Sequence, residues 1–447
     1  MLKNVINTNA FIIYNITMVS LFVLIMKNKF GTLWMLLPAL VIIVVDIYVF
    51  QAVRSSFSDS KASTQRIAYI VYWVLTSVTY LALLILLVKG YSNWHGWSKN
   101  LIVGFAQAIF LGKVLVLPFL LMDDLFRLFR WVLSFFGASS SDIQPQGISR
   151  LQFLSRVGLA VGSLTFGAFI YGILRGAYNY QVLKIKLAVK NLPDAWKDVK
   201  IVQISDLHVG SFADTTPIRK IVDLINKEDA DIVFFTGDIV NNNAKELLPF
   251  IDILKTIKTK TKVYSILGNH DYGAYMKWDS DKEMQDNFQH LLDIQRKELG
   301  WDLLMDEHRI LERDGKKLAI IGVQYIGHSL RFGKYGNLQK AYKGAETADI
   351  QLLLSHDPSH WDHEVSQKDE FSGIHATFAG HTHGFQFGIE IPGIKWSPSQ
   401  YVYPHWAGLF TSPKSQHLYV NRGAGFLGYP GRLGISPEIS VFQLVQA

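Results

Sequence analysis

The chain has 447 residues, of which 49% are hydrophobic and only 18% charged, and it contains no cysteine. That composition excludes a disordered protein, a collagen, a disulfide-stapled module and a metal site built from cysteine ligands. The net charge of +7 is uneven, because residues 1–190 hold 17 Lys/Arg against five acidic residues and the remainder sums to −5. The basic part is also the apolar part, which favours a role in membrane orientation over nucleic-acid binding.

Four apolar runs follow one another in the N-terminal third, each near the ~20 residues that a helix needs to cross a bilayer. Asp46 and Lys113 are exceptional charges within them, and an intramembrane acid is by default a candidate functional residue. The alternative for Asp46 is a carboxylate near a helix end that reaches water or a neighbouring helix. We interpret residues 1–125 as a four-helix transmembrane region, with a soluble helical bundle as the alternative. The runs are Phe11–Met26, Leu33–Val53, Ile67–Val88 and Leu101–Met122.

A fifth apolar run, Val157–Leu174, follows a polar linker and has small residues along its length, as in helices that pack closely in lipid. Residues 126–180 are therefore predicted to be a linker and a fifth transmembrane helix, with an interfacial helix or a hydrophobic neck of the next domain as the alternatives. If this run spans, the basic loops place the N-terminus in the cytoplasm and the C-terminal domain outside it. If it does not span, the C-terminal domain is cytoplasmic.

Residues 181–447 alternate short β-rich runs with charged helical segments, which is typical of a layered α/β domain. Five of the predicted strands run directly into polar residues. Since ligands bind outside the carboxyl ends of strands in open α/β sheets, we expect these polar residues to converge. The five strands are Lys200–Ile204, Asp231–Phe235, Lys262–Leu267, Gln351–Leu354 and His375–Ala379.

The residues that follow these strands offer carboxylate oxygen, amide oxygen and imidazole nitrogen, which suit Mn, Zn or Fe. Glycines precede Asp238, Asn269 and His381, and they allow the sharp turns that would bring side chains to one point. The sequence therefore predicts a metal site. Its candidate residues are Asp206, His208, Asp238, Asn269, His270, His356, His381 and His383.

The ordered blocks Asp-x-His, Gly-Asp, Gly-Asn-His-Asp, His and Gly-His-x-His resemble the calcineurin-like metallophosphoesterase family. The closing segments Asn421–Gly423 and Pro437–Ile439 resemble its bacterial membrane-associated branch with N-terminal transmembrane helices. The resemblance implies a calcineurin-like β-sandwich flanked by helices, with a dinuclear metal site. With the apolar runs, it implies an integral protein of the bacterial inner membrane whose catalytic domain is extracytoplasmic.

The family pattern also implies a role for each residue at the site. Two divalent metal ions, of Mn, Zn or Fe, would activate a water as hydroxide for attack on phosphorus. His270 would face the leaving-group oxygen, oriented by Asp271 or Asp206. One ion would be held by Asp206, His208 and His383, the other by Asn269, His356 and His381, and Asp238 would bridge them.

Two positions depart from the family pattern. Asn241 stands where many members have an acid, and Phe385 stands where the membrane-associated branch often has glycine. Phe385 would reshape the substrate entrance, and Arg422 is a second candidate substrate contact, with a structural ion pair as its alternative. The aromatic loops Tyr272–Glu283 and Pro392–Phe410 are candidates for an apolar rim that contacts the bilayer or an acyl chain, and ordinary loop packing is the alternative.

We predict a membrane-anchored phosphohydrolase that cleaves a phosphate ester or pyrophosphate, with the membrane and a lipid or envelope-linked substrate as its partners. Alternatives are a phosphodiesterase acting on soluble nucleotides or nucleic acid, and a non-enzymatic membrane scaffold that retains the fold. The −5 charge of the C-terminal part disfavours nucleic acid, because phosphate backbones attract basic surfaces. The intact ligand pattern disfavours a scaffold.

Overall fold

The computed structural model describes residues 36–89, 97–136, 148–328 and 333–447. The first predicted span, Phe11–Met26, lies outside the described residues. The described chain forms two compact units. One comprises the residues up to Lys89 together with Leu101–Tyr171, and the other comprises residues 97–100 together with Gly172–Ala447.

The N-terminal unit is helical, as the apolar runs predict. Two helical stretches of the described chain, Ser98–Ser134 and Arg150–Tyr178, have the length and composition to cross a membrane. The fourth apolar run is interrupted after Val114, and Pro118 lies in the first turn of the helix that follows, where its missing N–H costs no hydrogen bond. That helix continues to Ser134, so the predicted boundary at residue 125 falls inside a helix. The helices are α1 Leu36–Ser56, α2 Ala62–Lys89, α3 Trp97–Val114, α4 Leu117–Ser134 and α5 Arg150–Leu174.

A buried ion pair lies between α1, α2 and α3. Lys113 Nζ is 2.7 Å from Asp46 Oδ1 and donates to Thr76 Oγ1, also at 2.7 Å. Tyr80 donates to the second oxygen of the Asp46 carboxylate, and Tyr72 donates to the Asp46 backbone carbonyl at 2.6 Å. The Asp46 carboxylate therefore contacts neighbouring helices. A contact of this kind was the structural alternative to a functional role for Asp46.

The C-terminal unit contains two six-stranded sheets and a separate two-stranded ribbon. Its strands are β1 Gln181–Val189, β2 Lys200–Ile204, β3 Ile232–Phe235, β4 Val263–Ser265, β5 Asp302–Leu303, β6 Glu307–Arg313, β7 Lys316–Gly322, β8 Ile350–Leu354, β9 Ala376–Ala379, β10 Ile389–Ile391, β11 Ile394–Trp396, β12 Gly408–Thr411, β13 His417–Val420 and β14 Glu438–Gln446. The first sheet has the order β1-β14-β2-β3-β4-β5 and the second β12-β13-β9-β8-β7-β6. The ribbon pairs β10 with β11.

The two sheets pack face to face around a shared apolar core. Phe234 of β3 and Phe378 of β9 meet there with ring centroids 5.0 Å apart. Helices cover the outer faces: Ile218, Ile221 and Ile225 lie on one side of a helix and pack against the first sheet. These layers confirm the predicted β-sandwich flanked by helices. The helices of this unit include α6 Thr216–Lys227, α7 Ile251–Leu254, α8 Asp281–Asp293 and α9 Leu338–Tyr342.

The strands that carry the predicted site residues are parallel within each sheet. In the first sheet β2, β3 and β4 run parallel, and in the second β7, β8 and β9 do. Their carboxyl ends therefore share one edge in each sheet, from which the polar loops extend.

Candidate metal centre

The loops that follow β2, β3, β4, β8 and β9 bring their polar side chains together. Six of these side chains fall into two groups, and within each group the potential ligand atoms all lie within 4.8 Å of one another. The first group is Asp206, His208 and His383, and the second is Asp238, His356 and His381.

The first group has two ring nitrogens directed at one point. His208 Nε2 lies 3.1 Å from His383 Nε2, and His383 Nε2 lies 3.3 Å from Asp206 Oδ1. All three residues are buried. A cation held among these atoms would satisfy both ring nitrogens and the carboxylate together.

The second group is equally close and has an amide beside it. His356 Nε2 lies 3.2 Å from Asp238 Oδ2 and 3.3 Å from His381 Nδ1. Asn269 donates from Nδ2 to the Tyr275 hydroxyl at 2.9 Å, while its Oδ1 is buried with no hydrogen-bond partner in the described part of the chain. A buried acceptor without a donor is costly, so this oxygen is suited to a cation.

Asp238 connects the two groups. Its Oδ2 lies 3.6 Å from His208 Nε2 in the first group and 3.2 Å from His356 Nε2 in the second. Its Oδ1 accepts the backbone N–H of His270 at 2.8 Å, which fixes the orientation of the carboxylate. Asp238 thus lies between the two groups, and the bridging role that the family resemblance implies for it stays a prediction.

The backbone at the centre adopts conformations that most residues avoid. Five of the candidate ligands have positive φ, between 45° and 71°, a region that costs a non-glycine residue roughly 1–2 kcal/mol. Such outliers concentrate at functional sites. The five are Asp206, His208, Asp238, His381 and His383.

Two glycines allow the loops to approach each other closely. A Cβ on Gly268 would lie 2.1 Å from Asp238 Oδ1, and a Cβ on Gly380 would lie 2.3 Å from Asp206 Oδ2. Any larger residue would displace a candidate ligand, so the Gly-Asn-His-Asp and Gly-His-x-His blocks need glycine for spatial reasons.

Burial sets the protonation of most of the imidazoles. It lowers the pKa of His208 to about 3 and that of His381 to about 4, so both rings are neutral at pH 7 and have a lone pair for a cation. Burial also disfavours charge on His356, but the carboxylates of Asp238 and Asp206 outweigh it and raise its pKa to about 10. A bound cation would compete with this proton, so metal affinity should rise with pH.

The candidate acid His270 is oriented by a backbone carbonyl. Its Nδ1 donates to the carbonyl of Asn241 at 2.7 Å, whereas Asp271 or Asp206 was the expected partner. The buried carboxylate of Asp271 instead accepts the backbone N–H groups of Asp238 and Gly268, each at 2.9 Å. Asp271 therefore fixes the loops that carry the ligands.

A cavity of about 480 Å³ opens onto the centre. Phe385 lines it, together with His270. Arg422 does not line it: its Nε is 2.5 Å from Glu438 Oε2, and its Nη1 pairs with Glu390. This geometry therefore does not support the prediction that Arg422 contacts substrate. It corresponds to the alternative, a structural ion pair.

Sequence reasoning missed two residues that contact the candidate ligands. The Tyr403 hydroxyl lies 2.8 Å from His381 Nε2. Arg432 is fully buried, with Nη2 3.3 Å from His383 Nδ1 and 2.6 Å from the Gly425 carbonyl. Tyr403 lies in an aromatic loop that the sequence singles out, whereas nothing in the sequence around Arg432 indicates its position.

The donor set fits divalent cations, because it combines imidazole, carboxylate and amide oxygen and includes an acceptor that no group of the described residues satisfies. Residues 199–385 match the calcineurin-like phosphoesterase family. This segment is a calcineurin-like phosphoesterase domain. Residues 27–177 match a second family, described as "Probable Calcineurin-like phosphoesterase, transmembrane domain". The chain therefore joins membrane-associated helices to a metallophosphoesterase domain of a family that uses divalent metals.

Similar proteins occur in animals and bacteria. A transmembrane protein with metallophosphoesterase domain from Danio rerio is 25% identical over 284 residues, which cover 62% of this chain and 60% of that protein. An uncharacterized metallophosphoesterase, YkuE, from Bacillus subtilis is 27% identical over 306 residues, which cover 66% of this chain and 98% of that protein. An uncharacterized metallophosphoesterase from Helicobacter pylori is 25% identical over 327 residues, 72% of this chain and 79% of that protein. The match thus spans less than two thirds of the zebrafish relative.

Proposed function

We propose that this phosphoesterase hydrolyses a phosphate ester or anhydride of a lipid or envelope-linked molecule at the centre built around Asp238. The observation that carries the proposal is the position of the Asp238 carboxylate, which faces both donor groups beside a cavity large enough for a phosphorylated headgroup. Asp206, His208 and His383 would hold one divalent ion, of Mn, Zn or Fe. Asn269, His356 and His381 would hold the other, with Asp238 shared between the two.

Divalent cations at such a centre supply stabilisation of phosphate charge and lower the pKa of water. The protein's own contribution to proton transfer comes from His270. Because Nδ1 of this ring donates to the Asn241 carbonyl, Nε2 is the nitrogen that gains or releases a proton. His270 lines the cavity, so Nε2 would supply a proton to the departing oxygen.

The membrane-lipid part of the proposal rests on the N-terminal unit. A chain with its own membrane helices keeps its active site close to a lipid surface, and it has no evident need of them for a freely diffusing ester. The basic loops favour an extracytoplasmic catalytic domain, provided that the candidate span Arg150–Tyr178 crosses the membrane.

The test uses the full-length, manganese-loaded protein in detergent with a total lipid extract, followed by phosphorus NMR. We expect a lipid phosphate resonance to disappear with the wild type and to persist with Asp238→Asn. Asp223→Asn is the matched control, because Asp223 is an exposed aspartate on α6. It should behave as the wild type does.

Two other outcomes would change the conclusion in different ways. An unchanged lipid spectrum, with cleavage of a soluble nitrophenyl phosphate ester retained, would overturn the lipid substrate and leave the hydrolase. Equal hydrolysis by wild type and Asp238→Asn would overturn the assignment of the centre, and no hydrolysis of any phosphate ester would favour the scaffold.

A further inference from the structure

The two-stranded ribbon near the centre exposes its apolar face. Ile391 pairs with Ile394 and Ile389 pairs with Trp396, and directly paired residues share a face of a ribbon. The three isoleucines are 48–55% exposed. A contiguous apolar face of this kind usually contacts a partner or a membrane.

The charged residues of the same ribbon are also exposed, but their polar ends contact the protein. Glu390 pairs with the buried guanidinium of Arg422. Lys395 Nζ donates to the Ala407 carbonyl at 2.7 Å and lies over the ring of Trp406. The ribbon is thus held to the domain by its charged residues while its isoleucines, which favour the interior, stay exposed.

The exposed apolar face continues to the mouth of the cavity. Trp396 Nε1 donates to the Tyr401 hydroxyl at 3.4 Å, and Tyr401 is 76% exposed. The next residue, Val402, is 60% exposed and lines the cavity, as does Phe385. We call this surface the apolar rim; it comprises Ile389, Ile391, Ile394, Trp396, Tyr401, Val402 and Phe385.

The structure corrects the composition of the rim expected from the sequence. Trp406 lies in the aromatic loop that the sequence singles out, but it is buried and packs in a cluster with Ala407 and Ile435. Tyr272 of the other loop is buried as well. Isoleucines of the ribbon contribute much of the exposed surface: Ile394 lies in the loop that the sequence singles out, whereas Ile389 and Ile391 precede it.

The start of the catalytic unit contacts a segment that follows a residue of the cavity wall. Gly172, at the start of this unit, accepts the backbone N–H of Arg432 at 3.1 Å. Tyr429, three residues before Arg432, lines the cavity, and its carbonyl accepts Gln386 Nε2 at 2.6 Å. This contact therefore supports the cavity wall from within the catalytic unit.

We propose that the apolar rim inserts into the interfacial layer of the bilayer that holds the chain's own helices, so that the centre receives the phosphate of a lipid headgroup from that bilayer. The proposal rests on the hydrolase function proposed above and specifies how its substrate reaches the site. Exposed Tyr401 and half-buried Trp396 beside isoleucines form the combination that favours a membrane interface. Tethering by the candidate span would keep the rim at high effective concentration near the lipid.

The direct test is lipid contact, and the cysteine-free chain allows a single labelling position. Ile394→Cys in the full-length protein is labelled with bimane and reconstituted in phosphatidylcholine–phosphatidylglycerol vesicles that contain spin-labelled lipid. The matched control is Ile310→Cys, because Ile310 is an exposed isoleucine on β6, at the edge of the second sheet. We expect at least threefold stronger quenching at position 394 than at position 310.

Equal, weak quenching at the two positions would overturn the proposal. Weak quenching at 394 together with a blue shift that grows with protein concentration would assign the rim to a second copy of the chain, and would also overturn it. Quenching does not depend on catalysis. The quenching result therefore tests the membrane contact of the rim independently of whether the protein is a hydrolase.

The second test compares substrates. In Ile391→Ser/Ile394→Ser we expect hydrolysis of vesicle lipid to fall at least tenfold while hydrolysis of a soluble nitrophenyl phosphate ester stays within twofold, because neither isoleucine lines the cavity. Equal loss on both substrates, or no loss on lipid, would contradict the rim. A wild type inactive on both substrates would reject the hydrolase function instead.

Discussion

The two units each bury charged side chains, and they do so in different ways. In the helical unit, Asp46 and Lys113 lie 2.7 Å apart, and hydroxyl groups satisfy the remaining hydrogen-bonding positions. In the catalytic unit, the ligand atoms of His208 and His383 face each other, and Asn269 Oδ1 has no hydrogen-bond partner among the described residues. The first cluster pairs two opposite charges directly, whereas the second gathers imidazole nitrogens, carboxylates and an amide oxygen around a shared centre.

This difference helps to separate a structural cluster from a binding site. A buried ion pair is costly to break but needs no ligand. Buried acceptors on residues with left-handed backbone conformation lower the stability of the fold, and the rest of the domain must compensate for this cost. Binding of a cation to these acceptors would stabilise the folded domain. The comparison therefore predicts that changes at the two clusters affect different observables.

The largest effect is expected from Asp238→Asn, which weakens the contact shared by both groups. Hydrolysis of a nitrophenyl phosphate ester should fall at least about 1,000-fold, equivalent to about 4 kcal/mol in the barrier. Steady-state kinetics measures it, with Asp223→Asn as the control. A loss of less than tenfold would show that Asp238 is not shared between two ions.

For Lys113→Met in the helical unit, we expect a loss of stability without a loss of catalysis. Removal of one partner leaves the Asp46 carboxylate buried without its counter-charge, and we expect a loss of about 3 kcal/mol in the free energy of unfolding in detergent. Hydrolysis by the protein that remains folded should be unchanged. If kcat falls while stability is retained, Lys113 acts in function and the comparison fails.

A smaller effect on catalysis is expected from His270→Asn. His270 belongs to neither donor group, so metal content should be unchanged while kcat falls about 100-fold, the usual contribution of an acid or base. A leaving group of low pKa needs less help from an acid, so nitrophenyl esters should lose less than alkyl esters. Equal losses on both ester types would argue against proton donation.

The smallest effect is expected from Gly268→Ala, which tests the close approach of two loops. The added methyl group would meet Asp238 Oδ1, and we expect metal affinity to fall about tenfold, comparable with the loss of a group that orients a ligand. Isothermal titration with manganese measures the affinity. Gly167→Ala is the control for an added methyl group, since Gly167, like Gly268, lacks a positive φ but has open space around it. Similar affinities in the two variants would show that the close approach is unimportant.

The sequence predicted the layered α/β domain and the convergence of the polar loops because both follow from local patterns, whereas the sandwich was implied by the family resemblance. β2 begins and ends where predicted, at Lys200–Ile204, and the loops after it carry the expected ligands. The orientation of His270 by the Asn241 carbonyl could not be predicted, because it depends on the relative position of two loops 29 residues apart in sequence. The same is true of Arg432, which reaches His383 from 49 residues away.

The apolar N-terminal helices show a different limit of prediction from sequence. Hydropathy identified the apolar runs but not the interruption after Val114, where Pro118 lies in the first turn of α4. Hydropathy also could not reveal that Asp46 and Lys113, 67 residues apart, form a pair. The left-handed backbone at His208 and His383 follows from the packing of loops, and residue preferences would have argued against it.

The central claim is that the Asp238 cluster holds two divalent ions that hydrolysis requires. The most direct measurement is elemental analysis of the purified full-length protein together with its rate of phosphate-ester hydrolysis, before and after chelation and after manganese is restored. We predict about two ions per chain in the wild type, no more than one in Asp238→Asn, and activity that is lost and regained with the metal. Full activity in a metal-free, folded protein would contradict the claim.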